Sequence, residues 1–231
     1  MRTALIWSAV VVVASVIAGA GGYEIGLGHS HVSSGAPGTS VALSGACPAG
    51  VTVPDPSATS PAGSALLARL LPIPTADTRT TGGEQQGVVS LTGFVNALYS
   101  NNPNAEQPRL EARCFQTAVH REWTSPGGTI TSVWLIQFGT AAGARSYTLA
   151  DEQASAADPK RSDAFPVSHV ADGMGYGQPS LDQDGNTRTA MLGDAGNIAI
   201  IINLFVPAKL DNSGGALVLQ QQSALLTSGS S

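Results

Sequence analysis

The stretch from Cys114 to Phe138 constrains the fold most, because its apolar and polar residues alternate on both sides of Pro126-Gly127. Alternation with a period of two is typical of half-buried β-strands. Pro followed by Gly suits the two central positions of a type II turn, since Pro fixes φ and Gly accepts a positive φ. The stretch therefore predicts a β-hairpin in which Ser125 lies opposite Gly128.

This register divides the hairpin into an apolar face and a polar face. The apolar face carries five cross-strand pairs: Trp123 with Ile130, Arg121 with Ser132, Val119 with Trp134, Thr117 with Ile136, and Phe115 with Phe138. His120 and Glu122 fall on the other face, where we expect them to contact water. Because a shift by one residue would move every side chain to the opposite face, the pattern should fix the register.

Arg121 is the exception on the predicted apolar face, where it would lie between Trp123 and Trp134. An arginine in that position can stack on a tryptophan and bind an anion. It can equally reach water, or pair with an aspartate, at the rim of a hydrophobic core. Both readings stay open, and Arg121, Trp123 and Trp134 are the candidate ligand-binding residues.

Periodic apolar positions predict two helices before the hairpin, one helix capped by Thr140 after it, and a last helix capped by Asp211 or Ser213. Three strand-like runs lie between these last two helices, and "IAIIINLFVPA" is the strongest of them. We interpret "TADTRTTGGEQQG" as a loop and "NNPNAEQPRLEAR" as a turn-rich connector. Strands grouped in hairpins predict an α+β fold, with an antiparallel sheet of about five strands and helices packed mainly on one face.

The N-terminus has no charged residue from Thr3 to Tyr23. A helix needs about 20 apolar residues to cross a bilayer, which predicts a signal anchor, a transmembrane helix, over residues 1–23. The alternative is a cleaved secretory signal ending near Ala20, after Ala18-Gly19-Ala20. Either reading places the rest of the chain outside the cell membrane.

The remainder divides into a Gly/Ser/Pro-rich tether over 24–61, a folded domain over 62–226 and a disordered tail over 227–231. Cys47 and Cys114 are the only cysteines. An oxidising compartment favours their pairing, so we predict a disulfide.

Composition and motifs exclude several functions. A net charge of −5 provides no basic field for nucleic acid. The chain contains no G-x-S-x-G motif, no phosphate-binding glycine loop and no paired thiols for zinc. We therefore expect no cofactor and no enzymatic activity. An envelope hydrolase that uses scattered residues such as His120, Glu122 or His169 stays open as a less favoured alternative.

Two metal-like patterns have simpler readings. Asp182, Asp184 and Asn186 alternate as calcium ligands do, but Thr187 and Gly193 occupy the positions that an EF-hand reserves for Gly and Glu. Asp184-Gly185 instead predicts a tight hairpin turn. His29-x-His31 lies in the predicted tether with no carboxylate or thiol nearby, so we expect no metal site there.

The segment "VWLIQFGTAAGARSYTLADEQ", a strand ending in Phe138 followed by a helix with Ala144 and Tyr147 on one side, resembles actinobacterial extracytoplasmic domains. These are tethered by one transmembrane helix or a lipid, as in the sensor domains of mycobacterial serine/threonine kinases and related lipoproteins. The resemblance implies an α+β sheet with a cleft and a binding role. We therefore expect a membrane-anchored, extracytoplasmic ligand-binding or sensor-like domain of the cell envelope, with a protein-interaction or accessory subunit of an envelope complex as the alternative. The resemblance implies no catalytic residues.

Overall fold

A computed structural model describes residues 47–80, 86–100, 102–158, 160–161, 164–182, 184–207 and 209–228. The predicted signal anchor, the first part of the predicted tether and the histidines at 29 and 31 lie outside these residues. Within the described ranges, no helix has the length and apolar character needed to cross a bilayer.

The centre of the fold is an antiparallel sheet, which has eight strands in the described part of the chain rather than about five. The strands are β1 Thr78–Arg79, β2 Gly87–Val89, β3 Phe115–Thr124, β4 Ile130–Phe138, β5 Phe165–Pro166, β6 Met174–Gln178, β7 Asn186–Ala195 and β8 Ile198–Pro207. Their order in the sheet is β1-β3-β4-β8-β7-β6-β5, and β2 also pairs with β3. The prediction missed β1, β2 and β5, which have two or three residues each and are too short to show a period.

Five helices pack on this sheet in the described residues: α1 Ala62–Leu67, α2 Leu91–Leu98, α3 Pro103–Ala112, α4 Ala141–Ala157 and α5 Asn212–Ser228. The predicted caps are present. The Ser90 hydroxyl accepts the amide of the third residue of α2 at 3.1 Å, and the Thr140 hydroxyl does the same for α4 at 2.9 Å. Asp211 Oδ1 accepts the Gly214 amide at 2.8 Å, so Asp211 rather than Ser213 caps α5.

The prediction of a connector between α2 and β3 is wrong, because this segment forms α3. Pro103 occupies the first turn of the helix, where its missing amide hydrogen costs nothing and its φ is already helical. Leu110 anchors the helix in the core at 1% exposure. The turn-like Asn102-Pro103 is therefore a helix start.

Helices cover both faces of the sheet, which corrects the prediction that they pack mainly on one. We call face A the side that α2, α3 and α4 cover, with Trp134, Leu192 and Ile201 among its residues. Face B is the side that α1 and α5 cover, with Val133, Met191 and Ile200 among its residues. The physical reason is that the central strands β4 and β8 are apolar on both sides, and both sides must be buried.

The predicted register of the β3–β4 hairpin is wrong by one residue from Thr117 onward, whereas the predicted pair of Phe115 with Phe138 is present beyond a bulge. Trp123 lies opposite Thr131, and His120 lies opposite Trp134. The cause is a loop of three residues rather than two, since the Ser125 amide donates to the Thr129 carbonyl at 2.9 Å. Gly128, not Gly127, has the positive φ of 82°. A type I turn followed by a left-handed glycine is the usual geometry of three-residue hairpin loops.

The predicted disulfide between Cys47 and Cys114 is confirmed. It joins the start of the described chain to the residue before β3, with Cα atoms 5.3 Å apart. The segment that follows Cys47 also contacts the domain. The Pro56 carbonyl accepts the Thr92 amide at 2.8 Å, and the Gln116 side chain donates to the Thr52 carbonyl at 3.1 Å. The second part of the predicted tether therefore lies against the domain.

Candidate functional site

The three residues predicted to bind a ligand lie on two different faces of the sheet. Arg121 and Trp123 project to face B, and Trp134 projects to face A. They cannot line one site, because the actual register moves Trp134 to the opposite side from the one predicted. Trp123 is 4% exposed within the apolar core of face B.

Arg121 has a structural contact on face B. Its guanidinium donates to the Leu70 carbonyl at 3.1 Å and also to the Leu71 carbonyl. These two carbonyls follow α1, so Arg121 holds the end of this helical segment against β3. Burial, and then the nearby Arg79, lower the pKa of Arg121, and no carboxylate contributes to that shift.

A line of polar side chains crosses face A instead, and we call it the polar row: Glu122, Ser132 and Asn203. They lie on the adjacent strands β3, β4 and β8 and are directly opposite one another in the register. Their exposures are 2%, 3% and 0%. The expectation that Glu122 contacts water was wrong, and the same holds for His120 at 1% exposure.

His120 and Trp134 form the next row along the same two strands. His120 Nε2 lies 3.0 Å from Ser132 Oγ, and its ring stacks on Trp134 with centroids 4.1 Å apart and planes 9° apart. This stacking fixes the imidazole against the serine. A Ser–His pair at this distance is an arrangement that can serve a nucleophile and its base, and both side chains are buried here.

Arg188 on β7 determines how the Asn203 amide is oriented. Its Nε and Nη2 donate to Asn203 Oδ1 at 3.2 and 2.7 Å, and its guanidinium lies 5.8 Å from the ring centroid of Phe205. A guanidinium has donors and no acceptor, so it selects the carbonyl oxygen of the amide. The Asn203 Nδ2 group is therefore directed away from Arg188.

Three polar atoms of this region are buried without a hydrogen-bond partner among the described residues: Glu122 Oε1, Trp134 Nε1 and Asn203 Nδ2. Burial raises the pKa of Glu122, and a hydrogen bond with Thr80 opposes that shift. Each unpartnered buried group costs about 1–3 kcal/mol of stability. Three such groups on three adjacent strands of one face therefore lack partners from the described protein, and a bound water or ligand would have to supply them.

A second set of buried polar side chains, which we call the tyrosine–aspartate cluster, consists of Tyr147 and Asp151 on α4 and Tyr99 at the end of α2. The two tyrosine hydroxyls are 2.7 Å apart, and Tyr99 donates to Asp151 Oδ1 at 3.3 Å. Burial raises the pKa of Asp151 to about 7, although both tyrosine hydroxyls and Arg161 oppose the shift. The second oxygen of Asp151 has no partner among the described residues.

Tyr176 on β6 lies in line with the polar row, two strands beyond Asn203 and separated from it by Ala190. Asn203 lies opposite Ala190, and Ala190 lies opposite Tyr176. The Tyr176 hydroxyl donates to the Glu152 carbonyl of α4 at 3.2 Å, and Arg161 lies over its ring at 6.0 Å. Tyr176 therefore contacts the helix that carries Asp151, on the face of the sheet that holds the polar row.

The other candidates from the sequence do not join the site. No group of three metal-binding side chains occurs among the described residues. Asp182 Oδ1 accepts the amides of Asp184 at 2.9 Å and Asn186 at 2.8 Å, which is the predicted turn. His169 is exposed, and no described hydrogen bond or ion pair connects it with His120 or Glu122.

The sequence reasoning missed Ser132, Asn203 and Arg188 as site residues. One signal was present, because Asn203 interrupts the otherwise apolar run from Ile198 to Val206. A polar residue inside a strand that is buried on both faces needs a partner. The alignment of Asn203 with Ser132 and Glu122 depends on pairing between distant strands, which no local pattern reveals.

No family model and no curated protein matches this chain. Among solved structures, the chain is similar to the extracellular domain of PknH from Mycobacterium tuberculosis. The two share 12% sequence identity with a TM-score of 0.47, and the match covers 74% of this chain and 100% of that domain.

Proposed function

We propose that this protein is a membrane-anchored, sensor-like domain of the cell envelope, and that it binds a small ligand at the polar row on face A. The observation that carries the proposal is the set of buried, unpartnered atoms of Glu122, Trp134 and Asn203 on three neighbouring strands. An extracytoplasmic location agrees with the disulfide and with the uncharged stretch from Thr3 to Tyr23.

The physical reasoning rests on the cost of these groups. Together they disfavour the ligand-free protein by several kcal/mol, at about 1–3 kcal/mol each. A protein keeps such groups where they contribute to function rather than to stability. Their rigid surroundings, with His120 stacked on Trp134 and Arg188 bonded to Asn203, hold the site ready before a ligand arrives.

Thermal unfolding of the full-length chain tests the ligand site. Small-molecule extracts of the cell envelope should raise the Tm of the wild-type protein and should not raise that of Asn203→Asp, which replaces the presented amide by an acceptor. Thr117→Val is the matched control, because Thr117 Oγ1 is also buried and without a described partner but belongs to face B. Extracts that stabilise no protein, or all three equally, would contradict the proposal.

N-terminal sequencing tests the anchor. Protein extracted from membranes should begin at Met1 or Arg2 if the predicted helix over 1–23 is retained. A start at Gly21 would show that the chain is cleaved after Ala20, and the protein would then be secreted rather than anchored.

A protein-interaction subunit is the second candidate, and α5 favours it. This helix carries no charged residue from Asn212 to Ser228, and it exposes Leu217 by 53% and Leu225 by 38%. Exposed apolar side chains on a neutral helix suit a protein contact. Leu217→Asp should then abolish co-purification of a partner and leave the ligand response of the polar row unchanged.

A further inference from the structure

We propose that the ligand of the polar row is a neutral, hydroxyl-rich small molecule of the sugar or cyclic polyol class, an inference that rests on the proposed function. The chemistry of the unpartnered atoms, their spacing and the charges around them each narrow the class of ligand.

The unpartnered atoms require a ligand that both accepts and donates hydrogen bonds. Asn203 Nδ2 and Trp134 Nε1 are donors, and each needs an acceptor on the ligand. Glu122 Oε1 is an acceptor when the carboxyl is ionised and needs a donor. A hydroxyl group serves as donor and acceptor at once, so a ligand with several hydroxyls satisfies all three atoms.

The spacing excludes a ligand with one compact polar group. Glu122 and Asn203 lie on opposite sides of Ser132, two strand spacings apart, which is about 10 Å. This spacing separates the Cα atoms, so a ligand that contacts both side chains across Ser132 must carry polar atoms at more than one position. The oxygen and nitrogen of an amide share one carbon and are at most about 2.6 Å apart. Hydroxyls on several carbons of one ring provide polar atoms at several positions.

The charges around the site disfavour ions. A metal cation would face the donors of Trp134 and Asn203, with the Arg188 guanidinium 2.7 Å from Asn203 Oδ1. A phosphate or a second carboxylate would lie beside the carboxyl of Glu122, which is 2% exposed and therefore poorly screened. A neutral ligand avoids both penalties.

Arg188 is the positioning residue of this site, since it acts on the ligand through Asn203. If its bonds to Oδ1 fix the amide, Arg188→Gln should permit the amide to rotate, because Gln has both a donor and an acceptor. The variant should weaken binding while leaving the selectivity for hydroxylated ligands intact.

The experiment is calorimetric titration of the full-length chain, purified in a detergent without a sugar headgroup. The probes are D-glucose, D-galactose and myo-inositol, compared with glycine, acetamide, inorganic phosphate and calcium chloride. At least one of the first three should bind saturably, with affinity reduced at least about tenfold in Asn203→Asp and in Glu122→Leu. Thr117→Val, which alters face B only, should bind as wild type does.

Two results would overturn the inference and separate it from the function on which it rests. In the first result no polyol binds, but glycine, acetamide, phosphate or calcium binds, or an envelope extract stabilises the protein. If Asn203→Asp abolishes that effect, the ligand site is supported and the proposed ligand class is wrong. If neither the probes nor the extracts act on the wild-type protein, the ligand class and the ligand site are both refuted.

Discussion

Replacing Asp151 by Asn should make the stability of this protein much less dependent on pH. Asp151 is 4% exposed on α4, and burial raises its pKa from 3.8 to about 7. The unfolded chain exposes this carboxyl to water, where its pKa is about 3.9. The folded protein therefore retains a proton on Asp151 over a pH range in which the unfolded chain has lost it.

The sign of the effect follows from proton linkage. Between pH 4 and pH 7 the folded state binds more protons at Asp151, so the free energy of unfolding falls as the pH rises and levels off above pH 7. The full shift from 3.8 to about 7 corresponds to about 4 kcal/mol at 1.36 kcal/mol per unit. Between pH 5 and pH 8, the part of this pKa shift that affects stability is about 2 units, which corresponds to about 3 kcal/mol.

Urea unfolding at pH 5 and pH 8, with the disulfide intact, measures this difference. The wild-type protein should lose about 3 kcal/mol more than Asp151→Asn over this interval. Asp77→Asn, the same chemical change outside the cluster, should keep the wild-type dependence. Equal pH dependences for the wild-type protein and Asp151→Asn would refute the reasoning, because Asp151 would then not titrate differently in the two states.

Three further substitutions test the fold and the site. Glu122→Leu should raise the free energy of unfolding of the ligand-free protein by about 1 kcal/mol in chemical denaturation, because it removes an unpartnered buried carboxyl. The gain should be larger at pH 8 than at pH 5, because the pKa of this carboxyl is raised in the folded state. A loss of stability would show that the carboxyl has a hydrogen-bond partner. Replacing Cys47 and Cys114 by Ser should lower the free energy of unfolding in chemical denaturation by about 4 kcal/mol, because the bridge spans a separation of 67 residues; an unchanged free energy of unfolding would contradict the bridge. Gly143→Ala should lower the Tm, since the new Cβ would meet the Arg113 carbonyl oxygen; an unchanged Tm would show that α4 can shift.

The sequence predicted the local features of the fold that depend on a few neighbouring residues. Ser90 and Thr140 signalled their helix starts because capping needs a hydroxyl at one position only. The hairpin was also located correctly, but its register depended on whether Gly127 or Gly128 took the positive φ. Both glycines tolerate that conformation, so local chemistry did not decide between a two-residue and a three-residue loop.

The one-residue difference in loop length determined which side chains form the candidate site. With the predicted register, Arg121 and Trp134 shared a face, and His120 and Glu122 faced water. With the actual register, His120 stacks on Trp134, and Glu122 joins a row with Ser132 and Asn203. The pairing of β4 with β8 joins residues about seventy positions apart, and it follows from the packing of the whole sheet rather than from any local pattern.

The most direct test of the ligand site uses two indole groups in nitrogen–proton NMR spectra of the full-length chain. Trp134 lies on face A beside the polar row, and Trp123 lies on face B in the opposite core, so the second is an internal control. Trp134→Phe and Trp123→Phe assign the two resonances. Addition of a stabilising extract or polyol should shift the Trp134 indole and leave the Trp123 indole in place. A shift of Trp123 alone, or equal shifts of both, would contradict a ligand site on face A.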